Sequence, residues 1–380
     1  MKQVIFALIV LTVACCQQKK EKISSVHSDH LAEERVSLKY ATGFSITRKS
    51  GSISVTVNHP FQGAGHSYTY LLVPRHEQVP QHHPDVKVIR TPLNSIVCTS
   101  TTHIPLLDYL NESEKLVGFP TTDFISSKNT RKLIDAGKVQ DLGIDKGINL
   151  ELLASLQPDM VMAYAMNADY GQFKKMEDMN IPVVINAEYL ENHPLGRAEW
   201  IKFMALFFDK EAEADSVFQT IEQSYLNIKS LAETQSYKPS VMSGIIYGDA
   251  WFMPGGQNYA STILKDAACH YLWAGDSSNG FLELNFETVY EKANNADLWI
   301  GVGMYSSLAG LAAGDHRYTQ FASFKKGKIY NYDARMGAKG GNEFLELGYL
   351  RPDIILQDLV KIAHPELLPD YTPYFYRKLE

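Results

Sequence analysis

Two short motifs place a carboxylate in the first turn of a predicted helix. Asn149-Leu-Glu151 precedes a helix that leads to the apolar run 159–163, and Asn285-Phe-Glu287 precedes a helix that leads to the run 297–301. Asn is a favourable N-cap and the helix dipole favours an acidic first turn, so helix stability alone explains either glutamate. Because the motif occurs at matched places in two similar parts of the chain, the pair predicts a two-pronged acidic docking surface.

A second group of residues follows the predicted strands. Parallel sheets bind ligands beyond the carboxyl ends of their strands, and this group is rich in aromatic side chains, which suits a large, partly planar organic ligand. Packing or loop structure is the alternative explanation for each residue singly. The predicted ligand-binding residues are Thr102, His103, Tyr164, Tyr189, Tyr247, Trp251, Gly255, Gly256, Met304 and Arg335.

Side-chain chemistry suggests roles for several of them. Tyr247 and Trp251 can stack on a planar ligand, and Arg335 can bind a carboxylate or phosphate. Gly255 and Gly256 precede a helix and can present backbone N–H groups to an anion. His103 opens a predicted helix and is either a satisfied structural residue or an axial ligand to a metal in the cargo.

Other classes of function find less support in the sequence. Residues 301–303 and 337–341 are rich in glycine, but neither gives a dinucleotide fingerprint or a phosphate-binding loop, and no nucleophile elbow appears. A hydrolytic or metal-dependent enzyme remains an alternative, because carboxylates such as Asp249 or Glu343 could pair. The net charge of −7 without a basic stripe argues against nucleic acid. No set of three or four residues indicates a bare metal ion, and no cofactor is expected.

The elements that would position these residues are arranged around one long helix. Apolar residues recur at steps of three and four from Glu211 to Thr234, which predicts a helix with one buried stripe. Short apolar runs alternate with helical patterns on both sides of it. The sequence therefore predicts an α/β protein with two doubly wound parallel-sheet lobes joined by one long helix, after a small N-terminal antiparallel β piece. An ordinary surface helix of one large domain is the alternative.

The predicted domain organisation begins with a signal peptide. An apolar run too short to span a membrane precedes Cys15, and residues 12–15 look like a bacterial lipobox, which predicts lipidation at Cys15. Cleavage before Cys16 and a plain secretory signal are the alternatives. The predicted segments are a signal peptide (1–15), a tether (16–35), a β-hairpin region (36–85), an N-terminal lobe (86–195), linking helices (196–238) and a C-terminal lobe (239–380).

Several stretches resemble the periplasmic solute-binding proteins of ABC importers for iron chelates, cobalamin and haem. The resemblance covers roughly residues 90–380. Its main stretches are 149–163, 194–200, 253–257, 340–344, 351–354 and 364–370.

The resemblance implies a function and partners. It implies a monomeric, periplasmic, lipid-anchored binding protein without enzymatic activity, in which Glu151 and Glu287 engage arginines of a permease that works with its own ATPase. The expected cargo is a ferric siderophore-type chelate, with cobalamin or haem as the alternative. An accessory lipoprotein that binds no small molecule is a further alternative.

Overall fold

The computed structural model describes residues 34–49, 51–145 and 147–380 of the protein. The predicted signal peptide, Cys15 and the tether up to residue 33 lie outside the described residues. The predicted end of the tether is wrong, because Glu34–Val36 forms a strand. Within the described ranges no helix is long and apolar enough to cross a membrane.

A five-stranded sheet, called here the N-terminal sheet, comes first. Its strands, in spatial order, are β1 (Glu34–Val36), β2 (Phe44–Lys49), β3 (Ser52–Val57), β4 (Tyr68–Pro74) and β5 (Lys87–Thr91). The predicted antiparallel hairpin is present as β2 and β3. The sheet extends beyond the predicted region 36–85 at both ends. It is also not wholly antiparallel, because the long connection 75–86 lets β5 run parallel to β4.

The first lobe follows. Its strands are β6 (Ile96–Cys98), β7 (Leu116–Phe119), β8 (Gln140–Asp141), β9 (Gly143–Ile144), β10 (Gly147–Ile148), β11 (Met160–Ala163) and β12 (Val183–Ile185). Its helices are α1 (His103–Tyr109), α2 (Lys128–Asp135), α3 (Leu150–Leu156) and α4 (Gly171–Asp178). The order β12-β11-β6-β7-β8 forms the first parallel sheet. Strands β11 and β12 are buried along their whole length, as continuous apolar runs in a covered parallel sheet should be.

Three helices connect the lobes: α5 (Pro194–Glu199), α6 (Ile201–Ala205) and the long α7 (Glu211–Glu233). The predicted helix Glu211–Thr234 is confirmed to within one residue. Its buried stripe includes Phe218, Ile221 and Tyr225, and the Tyr225 hydroxyl donates a 2.7 Å hydrogen bond to Oδ2 of Asp266. Helix α6 contacts α1 of the first lobe.

The second lobe completes the chain. Its strands are β13 (Ser240–Ser243), β14 (Ile245–Tyr247), β15 (Ala250–Pro254), β16 (His270–Tyr271), β17 (Phe281–Leu284), β18 (Leu298–Ile300), β19 (Ile329–Asn331) and β20 (Arg377–Lys378). Its helices are α8 (Tyr259–Asp266), α9 (Phe286–Ala293), α10 (Leu308–Gly314), α11 (Ala322–Lys325), α12 (Glu343–Leu347) and α13 (Pro352–Ala363). Helix α13 packs against the linking helix α7.

Two sheets form in this lobe. The order β16-β13-β18-β19-β20 gives the second parallel sheet, in which only the edge strand β20 runs antiparallel. Strands β14, β15 and β17 form a small antiparallel sheet. Gly244, with a φ of +81°, ends β13, and the chain leaves the parallel sheet there.

Two carboxylates, one just before α5 and one at its end, hold the N-terminal sheet in place. Glu199 accepts the backbone N–H groups of residues 39, 40 and 41 at 2.8–3.0 Å, and Glu191 accepts those of residues 42 and 43 at 2.9 and 2.7 Å. A Cβ atom on Gly43 would lie only 2.8 Å from the Trp200 ring, so this approach requires glycine. Five consecutive amides therefore bind two buried acids.

Candidate ligand-binding site

Large apolar side chains are exposed where the strands of both parallel sheets end. Six of the eleven exposed large apolar residues in the described part of the chain lie in segments that follow parallel strands, with exposed fractions of 53% to 80%. Such a concentration of exposed apolar surface marks an interaction site. The six residues are Phe124, Ile144, Met166, Tyr247, Met304 and Met336.

The sequence prediction found only part of this set. Tyr247 and Met304 were among the predicted ligand-binding residues, and both are exposed. Phe124 and Ile144 were not predicted. They lie in the segment between β7 and α3, where the sequence shows no long periodic element to indicate which way a side chain points.

Buried polar atoms without a hydrogen-bond partner occur at the same two edges. Such atoms are rare in folded proteins, and water or a ligand normally satisfies them. Every residue that carries one in the described part of the chain comes after a strand of one of the two parallel sheets. These residues are Thr99, His103, Ser126, Glu188 and Asp333.

Thr102 lies next to one of these buried groups. Its Oγ1 donates a hydrogen bond to Oε1 of Glu188, while Oε2 of Glu188 has no partner. Burial raises the pKa of the Glu188 carboxyl, although the Thr102 hydrogen bond and the nearby Arg197 oppose this shift. Arg197 lies between two aromatic rings, 3.8 Å from the ring centre of Tyr259 and 4.3 Å from that of Tyr349.

Tyr164 and Tyr189 are half-buried at the same edge of the first lobe. The Tyr164 hydroxyl donates a 2.8 Å hydrogen bond to Asp145, and burial raises the pKa of Tyr164 to about 12. The Tyr189 hydroxyl donates a 2.7 Å hydrogen bond to the carbonyl oxygen of Ala165. Both phenols are therefore neutral and keep part of their rings accessible.

The prediction that Trp251 stacks on a ligand is wrong. Its side chain is 0% exposed and lies in an aromatic cluster, with its ring centre 5.4 Å from that of Trp299 and 5.5 Å from that of Tyr318. Its indole N–H donates a 2.9 Å hydrogen bond to the carbonyl of Ser243. Trp251 is core because it points from β15 towards the second parallel sheet.

The prediction that Gly255 and Gly256 bind an anion is also wrong. The N–H of Gly255 donates to the carbonyl of Gly280 at 2.9 Å, and that of Gly256 donates to Asp276. A Cβ atom would lie 2.2 Å from Ser278 Oγ at Gly255 and 2.2 Å from the Asp276 carbonyl oxygen at Gly256. These glycines allow close packing against the loop before β17.

His103 is not accessible as an axial ligand. It is 0% exposed, and burial lowers the pKa of its imidazole to about 3, so the ring is neutral. Neither ring nitrogen has a hydrogen-bond partner among the described residues, so the satisfied structural residue of the alternative interpretation is not observed either. Within residues 34–49, 51–145 and 147–380, no group of three or more His, Cys, Asp or Glu residues could hold a metal ion.

Arg335 is exposed in the loop after β19 and faces a pocket between the lobes. Its guanidinium lies 3.8 Å from the ring centre of Tyr374, and within the described residues it forms no hydrogen bond or ion pair. The pocket has a volume of about 260 Å³ and includes residues of α1, α2 and α12. A stacked guanidinium with unused donors suits binding of a carboxylate or another oxyanion.

Glu151 and Glu287 are exposed in the first turns of α3 and α9. The Asn149 side chain accepts the N–H of Leu152 at 3.0 Å, and the Asn285 side chain accepts that of Thr288 at 2.8 Å. Both predicted N-caps are thus confirmed. The two helices present equivalent carboxylates, one from each lobe.

Comparison with known proteins agrees with this architecture. An uncharacterized lipoprotein of Methanocaldococcus jannaschii is 27% identical over 301 residues, covering 77% of this chain and 70% of that protein. A structure described as a possible iron-binding (periplasmic solute-binding) protein of Staphylococcus epidermidis matches with a TM-score of 0.55 and 18% identity, covering 72% of this chain and 99% of that one. The structure of a periplasmic heme-binding protein of Vibrio cholerae matches with a TM-score of 0.54 and 14% identity. The match covers 69% of this chain and 99% of that one.

The fold is that of a solute-binding protein, with two α/β lobes connected by a long helix. The periplasmic binding protein family model matches residues 96–336, and the chain belongs to that family. It is therefore a substrate-binding component of transport and not an enzyme. The matched region excludes the N-terminal sheet.

Proposed function

We propose that the protein captures a metal chelate of the ferric siderophore type and delivers it to an ABC permease in the inner membrane. The observation that carries this proposal is the set of exposed apolar side chains at the carboxyl edges of both parallel sheets, with the unpaired Arg335 beside them. Apolar contacts and a few polar groups are what an organic ligand needs for binding and orientation. Arg335 supplies the charge for an anionic chelate.

Haem is the second candidate ligand, and two exposed side chains that could serve as axial ligands favour it. Tyr and Met both serve as axial ligands to haem iron, and Tyr247 and Met304 are 72% and 80% exposed. Cobalamin would use the same apolar surface without such a ligand.

Delivery requires a docking surface and a position near the membrane. Glu151 and Glu287 are the proposed contacts with the permease, since both are exposed and come from different lobes. Lipidation at Cys15 would hold the protein at the membrane surface. The homologues named as lipoproteins support this anchor.

A ligand panel tests the proposal. Native mass spectrometry of protein from its own host identifies any retained molecule. The melting temperature of the protein is then measured with and without a ferric tricatecholate, a ferric trihydroxamate, hemin and cyanocobalamin. A ligand that binds only the folded state at one hundred times its Kd stabilises it by about 2.7 kcal/mol.

Two arginine variants sharpen the test. Arg335→Ala should weaken binding of an anionic chelate about tenfold or more, since hydrogen bonds to charged groups contribute about 1.5–3 kcal/mol. Arg35→Ala, which removes an exposed arginine from β1, should leave binding unchanged. No retained molecule and no melting shift across the panel would overturn the proposal and favour an accessory lipoprotein.

A further inference from the structure

The two lobes meet at a buried carboxylate far in sequence from its partners. Glu346 on α12 is 2% exposed. Its Oε2 accepts the backbone N–H of Ser126 at 2.5 Å, and its Oε1 accepts that of Ser127 at 2.8 Å. Ser127 is the N-cap residue of α2. Glu346 of the second lobe thus accepts hydrogen bonds from the amino end of a helix of the first lobe.

Two glycines bring the chain segments close at the same place. A Cβ atom on Gly341 would lie 2.1 Å from the carbonyl oxygen of Phe124, and one on Gly337 would lie 3.0 Å from Oγ of Ser126. The loop after β19 therefore packs directly against the segment after β7. Residues 124–127 and 337–346 are called the seam.

The seam fixes the loop that carries Arg335. The N–H of Glu343 donates to the carbonyl of Arg335 at 3.1 Å, and the N–H of Gly337 donates to that of Gly341 at 2.6 Å. Phe124 and Met336, two of the exposed apolar residues, lie within or beside the seam. Three side chains of the candidate site, those of Phe124, Arg335 and Met336, thus lie within or beside the seam.

We propose that Glu346 is a positioning residue that latches the two lobes at the seam and holds the Arg335 loop at the ligand-binding edge. The ligand-binding part rests on the proposed function. The latch itself is a property of the protein without ligand. None of the ligand-binding or docking residues predicted from the sequence lies within the seam.

The latch is sensitive to pH because closure of the seam takes up a proton. Burial raises the pKa of Glu346 to about 7, with Asp108 and Glu343 adding to the rise and the two backbone hydrogen bonds opposing it. The titratable or charged groups that line the pocket beside Glu346 are Asp108 and Tyr109 of α1, Lys128 of α2, Arg335, Glu343 of α12 and Tyr374.

The direction of the pH effect follows from the difference in the pKa of Glu346 between the closed and the open seam. In an open seam Glu346 regains water, and its pKa falls back towards the ordinary value near 4.5. The closed seam therefore binds the proton more tightly, so acidification favours closure and a rise in pH through 7 favours opening.

Amide hydrogen exchange of the ligand-free mature protein tests the latch. After correction for intrinsic rates, protection of the Ser126, Ser127 and Gly337 amides should fall about tenfold between pH 6 and pH 8. Glu346→Gln removes the titrating group, so its protection should not change with pH in this range. Glu366→Gln, which removes an exposed glutamate, should behave like the wild type.

Two outcomes would overturn the latch. One is wild-type protection that does not depend on pH, and the other is a dependence that persists in Glu346→Gln. If that variant does not fold, carbon-13 titration of Glu346 in the wild type decides, with a midpoint near 7 expected and one below 5 contradicting the proposal. A negative ligand panel beside pH-dependent protection would reject the ligand proposal and retain the latch.

Discussion

Tyr247 and Trp251 show how two aromatic residues of one hairpin take different roles. They lie on the adjacent strands β14 and β15, yet Tyr247 is 72% exposed and Trp251 is 0% exposed. Residue type and position after a strand predicted ligand contact for both. Orientation separates them, and sequence does not fix it because β14 and β15 leave the parallel sheet at Gly244.

Alanine substitution should separate the two roles. Trp251→Ala should lower the free energy of unfolding by about 3–5 kcal/mol, because it empties a large site in the aromatic core. Tyr247→Ala should change it by less than about 0.5 kcal/mol while weakening ligand binding. Urea unfolding and calorimetric titration measure the two effects. Equal destabilisation by both variants would contradict the assignment.

His103 should contribute to acid sensitivity. Its pKa is about 3 in the folded protein against 6.5 ordinarily, so below pH 6.5 the unfolded state binds a proton that the folded state does not. Stability is therefore lost as pH falls from 6.5 towards 3. The loss due to His103 should reach about 2 kcal/mol at pH 5.

A histidine replacement isolates this contribution. Between pH 7 and pH 5, the free energy of unfolding of His103→Leu, measured with urea, should fall by about 2 kcal/mol less than that of the wild type. His59→Leu, at an exposed position, should show the same fall as the wild type. Glu346 should have the opposite effect on the pH dependence of stability. Because the wild type and both variants contain Glu346, this effect cancels when their pH dependences are compared. An identical pH dependence in His103→Leu would rule out this role.

At the scale of elements, α3 and α9 are the clearest agreement between sequence and structure. Both occur where the two Asn motifs predicted a helix, as Leu150–Leu156 and Phe286–Ala293, with Asn at the N-cap. N-cap chemistry and the apolar stripe are local properties, so the sequence reveals them. The short strands β15 and β17 were not predicted, because their pairing depends on residues far apart in the chain.

Charge reversal on these helices tests docking. Glu151→Lys and Glu287→Lys together should abolish uptake and leave the Kd for ligand unchanged, because the two carboxylates are exposed on the first turns of α3 and α9 and act on orientation and encounter. Cellular uptake of the radiolabelled chelate provides the measurement. Glu291→Lys, exposed later on α9, is the matched control and should retain uptake. Uptake by the double variant would disprove the docking assignment.

At the scale of the whole molecule, the sequence predicted the two lobes and the helix between them but not the contacts that hold them. Periodicity in residues 211–234 and alternating strands and helices are visible in one dimension. The seam joins Ser126 to Glu346, and the N-terminal sheet joins Lys39 to Glu199. Neither pairing leaves a local pattern, because each partner alone looks like an ordinary polar residue.

The Glu199 contact should be essential for stability. Glu199 is 0% exposed, accepts three backbone N–H groups and forms a 3.1 Å ion pair with Lys202. Glu199→Ala should cost about 3–5 kcal/mol in urea unfolding, because it leaves three backbone N–H groups without a partner and removes one of the two carboxylates paired with Lys202. Glu233→Ala, at an exposed position on α7, should cost less than about 0.5 kcal/mol. A loss below about 1 kcal/mol in Glu199→Ala would show that the contact is dispensable.

The tie between the N-terminal sheet and the linking helices has an evolutionary consequence. Glu191 and Glu199 bind main-chain amides of residues 39–43, which every residue except proline possesses. These amide contacts therefore exclude only proline at residues 39–42, whereas the side chains of Lys39 and Tyr40 are constrained separately by their hydrogen bonds to Glu222. The two acids, and the glycine at 43 that lets the chain approach Trp200, should be retained wherever this sheet occurs.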